Sequence, residues 1–164
     1  IAPKNYWPEF TMITTIVSES RKKISSRSGM AQTVSTSPFY GSWLETIESD
    51  LSDMRKGIKK RAFSYVGETA ENNCLKMHST MLTTKPPIVY WISATMDVIH
   101  AVLGMRENGL YAYFTIDGGP QVKVMCLEKN EKEITAELRK IKSVKRTIVC
   151  RPGDRARTIE KHLF

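Results

Sequence analysis

The chain has 164 residues, 41% of them hydrophobic, which is enough for one compact domain with its own core and too few to expect two. Lys and Arg outnumber Asp and Glu by 25 to 17, and the pI is near 9.5, so an anionic partner is expected: nucleic acid, a membrane surface or a phosphorylated small molecule. Charges or threonines interrupt the longest apolar runs, which argues against a membrane span or a signal peptide and makes a soluble, cytoplasmic protein the expectation.

The stretch "FTMITTIV", residues 10–17, is rich in β-branched residues and follows Pro8, which predicts a strand inside a sheet. Residues 18–38 are polar and basic and read as a long connection, of the kind that is functional or disordered. Ser37 and Pro38 form a cap and first-turn pair, after which Leu44, Ile47, Leu51, Met54 and Ile58 recur at steps of three and four and predict an amphipathic helix. After a break near residues 59–61, Phe63, Val66, Ala70, Cys74, Met77 and Met81 predict a second helix ending before "TTKPP". Ile92, Met96, Ile99 and Leu103 predict a third, closed by Asn108 and Gly109.

Residues 110–117 and 120–127 alternate around Asp117 and Gly118, the pattern of two strands joined by a tight turn. Asn130 with Glu133 three residues later marks a further helix start, with Ile134, Leu138 and Ile141 on one face, and "KRTIVCR" reads as a last strand. The order strand, three helices, two strands, helix, strand predicts an α+β fold, a mostly antiparallel sheet covered on one face by helices. The tail after Pro152 is charged and unpatterned.

Chemistry is sparse on pattern alone. Cys74, Cys126 and Cys150 are odd in number and widely spaced, so they read as buried free thiols rather than a zinc site or a disulfide framework. No HExxH or carboxylate cluster appears, so a metal is expected to arrive with a ligand. Zinc-finger, RNP-like and helix-turn-helix patterns are absent, which argues against nucleic acid. There is no Ser/His/Asp order, nucleophile elbow or Walker loop either.

Ser25, Ser26, Arg27, Ser28 and Gly29 could offer hydroxyls, backbone N–H groups and a guanidinium to an anion, against the plainer reading of a solvated basic loop. Asn73, Met77 and His78 could form the wall of a site, although Met77 and Met81 read first as core and His78 as a satisfied packing residue. Asp117 by itself is a turn residue.

Three separated motifs then point one way. "KISSRSGMAQTVSTSPFYGSW" resembles a segment of bacterial diphosphomevalonate decarboxylases reading K-x-I/V-S-S-x-x-G-M before T-V-x-T-S. "MHSTMLTTKPPIVYW" is similar to that family's M/F-H-x-x-x-L-x-x-x-P-P-x-x-Y, and "AYFTIDGGPQVKV" to its A/C-Y-F/T-T/F-x-D-A-G-P-N signature. The resemblance implies that residues 1–164 form the C-terminal lobe of a GHMP kinase superfamily member, ferredoxin-like in topology, without the N-terminal ATP-binding lobe. Ile1 in place of an initiator Met agrees with an excerpt from a longer protein, and the lobe alone is expected to be inactive.

The family's reaction uses ATP and Mg, bound mainly by the other lobe, to phosphorylate a tertiary 3-hydroxyl. Loss of phosphate and carbon dioxide then gives isopentenyl diphosphate. The implied partner is a phosphorylated small molecule, with no nucleic acid and no membrane, and a homodimer is possible. Asp117 matches the family's essential Asp near the 3-hydroxyl, so the turn would also carry the catalyst. Ser26 and Arg27 match positions that hold the substrate's carboxylate or diphosphate, and Met30 one that contacts its carbon skeleton. Gly118 and Gln121 depart from the Ala and Asn of the signature. Relatives with a different phosphorylation pattern, a mevalonate 3-kinase, and a noncatalytic anion-binding domain are the alternatives.

Overall fold

The computed structural model describes residues 2–21, 24–154 and 158. Lys22 and Lys23 of the basic stretch, and most of the charged tail, lie outside the described residues. The elements run β1 (Phe10–Ile16), α1 (Ser26–Thr36), α2 (Tyr40–Lys60), α3 (Phe63–Leu82), α4 (Ser93–Glu107), β2 (Tyr113–Thr115), β3 (Val122–Leu127), α5 (Glu128–Lys140) and β4 (Arg146–Cys150). The sheet order is β2-β3-β1-β4 and every neighbouring pair is antiparallel. That is the expected α+β fold with a ferredoxin-like strand order, in which α1 to α4 fill the first crossover and α5 the second.

Strand alternation builds the core. Ile13, Val122, Val124, Cys126 and Phe114 face α4 and α5, which contribute Val98, Val102, Ile134 and Leu138, all nearly inaccessible to water. Met12, Tyr113 and Met125 point the other way, onto a smaller cluster made by Trp7, Phe63 and Val66. Among the described residues, no helix is long and apolar enough to cross a membrane.

The expected long connection at 18–38 instead contains α1. Its apolar side chains, Met30, Ala31 and Val34, are exposed, and its buried residues are Gly29 and Thr33, so no apolar periodicity announces it. Ser25 starts this helix by accepting a hydrogen bond from the Ser28 N–H at 3.1 Å. Small residues let α1 lie close to the end of α3: Thr33 and Thr84 hydroxyls meet at 3.1 Å, and the Lys85 N–H donates to Thr36 at 2.9 Å.

Ser37 therefore closes α1 rather than opening α2, whose first residue is Tyr40. Asn130 is not a cap either, because α5 begins at Glu128, directly out of β3, with Glu128 and Glu131 in its first turn where the helix dipole favours acids. Between β2 and β3 the turn is longer than expected and runs over residues 116–121.

Candidate active site

An edge strand leaves a row of peptide groups unpaired, and here α3 supplies the missing partners of β2. Glu71, Cys74 and His78 lie on one face of α3, at steps of three and four residues. The Phe114 N–H donates to Glu71 Oε1 at 3.2 Å and the Ile116 N–H to Cys74 Sγ at 3.2 Å. The Ile116 carbonyl lies 3.5 Å from that thiol and 3.2 Å from His78 Nε2. Arg106 completes the row, donating to the Ala112 carbonyl at 2.9 Å and pairing with Glu71 at 3.1 Å.

His78 is buried beside Trp91, whose indole nitrogen is 3.3 Å from the same Nε2. Burial holds the imidazole pKa below the usual histidine range, against opposing pulls from the Ile116 carbonyl and the Asp117 charge, which disfavours the charged ring. Burial likewise pushes the Cys74 thiol up. His78 is thus the satisfied packing residue the sequence suggests, and its partner is the peptide just before Asp117.

The 116–121 connection is pinned at both ends. Thr95, near the start of α4, donates to the Pro120 carbonyl at 2.8 Å. Gln121 takes the Val17 N–H at 2.7 Å through Oε1 and donates through Nε2 to the Ser18 carbonyl. Between these anchors and the Ile116 bonds to Cys74 and His78 at the other end, Asp117 has its side chain 80% exposed and its carboxylate 2.5 Å from Lys123 Nζ. The Gly119 N–H closes back on the Asp117 carbonyl at 2.7 Å. Lys123 was legible only as an outward residue of an alternating strand.

Gly118 is where the three separated motifs meet. A Cβ added there would stand 3.1 Å from Ser26 Oγ and 3.6 Å from the Tyr90 ring. Gly29 permits the same closeness one turn along α1, since a Cβ there would stand 2.8 Å from Tyr90 Oη. Tyr90 in turn donates to the Ile24 carbonyl at 3.4 Å. The α1 N-terminus, the Tyr90 segment and the Asp117 turn are therefore one packed unit.

Two clefts flank this unit and share Met77. One, of about 370 Å³, is lined by Ser26, Met30, Trp43, Tyr90 and Gly118 among others. The other, of about 310 Å³, opens between α2 and α3 and is lined by Asp50, Asn73 and Asp117. In it Asp50 accepts from Asn73 at 2.7 Å and from Lys76 at 2.5 Å. Ser26, Met30 and Asp117 are thus brought to one region, whereas Arg27 is exposed on the first turn of α1 and does not line the first cleft. Met81 is core as expected, but Met77 is half-buried at the junction of the clefts. Cys74 and Cys126 are buried and Cys150 is exposed, which corrects the expectation of three buried thiols. Among the described residues no trio of His, Cys, Asp or Glu is placed to hold a metal ion.

Residues 12–160 match the family model of the mevalonate 5-diphosphate decarboxylase C-terminal domain. Diphosphomevalonate decarboxylase of Debaryomyces hansenii is 28% identical over 138 residues, 82% of this chain and 35% of that protein, so the chain spans about a third of the length of that curated relative. A solved structure of MDDEF in complex with MVAPP, AMPPCP and magnesium superposes with a TM-score of 0.86 at 35% identity, covering 94% of this chain and 47% of that one. Mevalonate diphosphate decarboxylase from Staphylococcus aureus gives a TM-score of 0.84 at 34% identity, over 91% and 45%. The family match over nearly the whole chain, on a fold that packs the Ser26 and Asp117 motifs together, makes this chain a member of the mevalonate 5-diphosphate decarboxylase C-terminal domain family.

Proposed function

We propose that this chain is the C-terminal lobe of a two-lobed cytoplasmic enzyme that converts mevalonate 5-diphosphate and ATP to isopentenyl diphosphate, ADP, phosphate and carbon dioxide. The observation that carries the reading is the approach of Ser26 Oγ to Gly118, which brings the start of α1 beside the carboxylate-bearing turn. The N-terminal end of α1 carries positive partial charge, and with the Ser26 hydroxyl and the Arg27 guanidinium it suits a carboxylate or diphosphate. Met30, two-thirds exposed at the cleft rim, gives the carbon skeleton an apolar contact.

Asp117 then lies near the 3-hydroxyl, where its carboxylate accepts the hydroxyl proton or orients that oxygen and opposes charge that develops at C3. ATP, with Mg, supplies the phosphoryl group that turns the hydroxyl into a leaving group. Mg would be held chiefly by phosphate oxygens, with nucleotide and ion assigned mainly to the other lobe.

The test supplies the whole protein carrying this lobe with ATP, Mg and, in turn, mevalonate, its 5-phosphate, its 3,5-bisphosphate and its 5-diphosphate, and records ADP and carbon dioxide. Matched release of both with the 5-diphosphate alone is expected. ADP without carbon dioxide would make the protein a 3-kinase, and preference for another phosphate pattern a specialised relative. Unchanged carbon dioxide release by Asp117→Asn would remove the role given to Asp117.

A further inference from the structure

The Asp117 carboxylate is largely in solvent, next to two glycines, and a carboxylate that must meet one hydroxyl to within about half an ångström needs a rigid support. The support visible in the fold is the preceding peptide. Ile116 is 1% exposed and lies beyond the end of β2, so the strand ladder does not hold it. Its N–H and its carbonyl instead bond to Cys74 and His78, four residues apart on α3.

We propose that His78, with Cys74, is a positioning residue for Asp117: the imidazole Nε2–H and the thiol clamp the Ile116 peptide and so fix where the next side chain emerges. A buried carbonyl requires a donor, and Cys74 S–H is a weak one at 3.5 Å. The Nε2–H tautomer of His78 supplies the stronger bond at 3.2 Å. One nitrogen cannot donate to Ile116 and accept from Trp91 at once, so in this tautomer Trp91 acts by packing, its ring centroid 4.7 Å from the imidazole. The inference rests on the reading of Asp117 given above, and it goes beyond that reading by assigning a role to α3, which does not have to touch substrate.

The test uses the whole protein carrying this lobe, with carbon dioxide release from mevalonate 5-diphosphate as the readout. His78→Phe removes the donor while keeping a ring, and is expected to lower kcat about 10-fold to 100-fold with KM within twofold of the parent. His78→Gln, whose amide nitrogen can reach the place of Nε2, is expected to restore kcat to within about threefold. In an Asp117→Asn background His78→Phe should cost nothing further, because the clamp acts through Asp117.

A His78→Phe protein that turns over within twofold of the parent, or is not rescued by Gln, or loses the same factor in both backgrounds, overturns the proposal. Should His78→Phe fail to fold, Cys74→Ser and Cys74→Ala decide: Ser keeps kcat within about threefold while Ala lowers it about tenfold, and equal kcat overturns the clamp. If Asp117→Asn alone keeps full activity, the reading of Asp117 falls and the clamp with it. If Asp117→Asn is inactive while His78→Phe is normal, only the clamp falls.

Discussion

Replacing Glu71 is the most direct test of the helix that stands in for a strand. Glu71 is 8% exposed, accepts from the Phe114 N–H at 3.2 Å and pairs with Arg106 at 3.1 Å. Glu71→Ala leaves a buried amide without an acceptor, a loss of about 1–3 kcal/mol. It also strips Arg106 of its carboxylate. The Arg106 side chain is a quarter exposed and still bonds the Ala112 carbonyl, so this second loss falls below the roughly 3–5 kcal/mol of a fully buried pair. A total near 3 kcal/mol follows, equivalent to roughly 6–12 °C in Tm for a chain of this size.

Glu71→Gln keeps an oxygen for Phe114 and gives up only the charge, so about half the loss is expected. Urea unfolding of the chain gives both values, and a cycle with Arg106→Met should return a coupling of about 1–2 kcal/mol. Glu71→Ala within about 0.5 kcal/mol of the parent, or Gln as damaging as Ala, would refute the edge-capping account.

Helix glycines separate two cases: a Cβ on Gly67 would sit 2.2 Å from the Tyr113 ring, whereas one on Gly104 would meet nothing within 4 Å. Gly67→Ala should therefore destabilise the chain by about 2 kcal/mol or more despite the better helix former, and Gly104→Ala should stabilise it by up to about 1 kcal/mol; equal urea midpoints would contradict this. A thiol reagent should modify one cysteine quickly in the folded chain, Cys150, and all three only after unfolding, because burial shields Cys74 and pushes Cys126 up to about 12. For His78 the folded-state pKa lies below the unfolded one, so the unfolded chain binds the extra proton first. Its contribution is fully present above the unfolded value of about 6.5 and is lost as pH falls from there through the folded pKa. Urea midpoints of the parent should drop between pH 7.5 and pH 5.5 more than those of His78→Gln, and parallel curves would exclude the linkage.

What could be read in advance follows from which forces leave a mark on a single sequence. The helices α2, α3 and α4 and the strands β1 and β3 were legible because their apolar side chains recur with the period of the element. The helix α1 was not, since it packs through Gly29 and Thr33 and leaves Met30 and Val34 outside. The place of Asp117 in a turn was legible from the alternation on either side of it. Its Lys123 partner and the approach of Ser26 were not, because both arise from tertiary packing. Glu71, Cys74 and His78 share one face of α3, but only the position of β2 shows that this face serves an edge.

The two departures from the family signature affect opposite sides of the turn. At Gly118 an added Cβ would press within 3.1 Å of Ser26 Oγ, so glycine relaxes a contact that an alanine would tighten by a few tenths of an ångström. At Gln121 the longer side chain does the reverse, reaching the Val17 N–H and both the N–H and the carbonyl of Ser18. Ser18 begins the segment that leads to Ser26 and Arg27. The turn that bears Asp117 thus holds the root of the segment leading to α1 through Gln121 and leaves its tip room at Gly118. An asparagine at 121, one methylene shorter, would have to give up one of these contacts or draw β1 closer, so tightening the contact at position 118 and keeping the tether at 121 are separable changes.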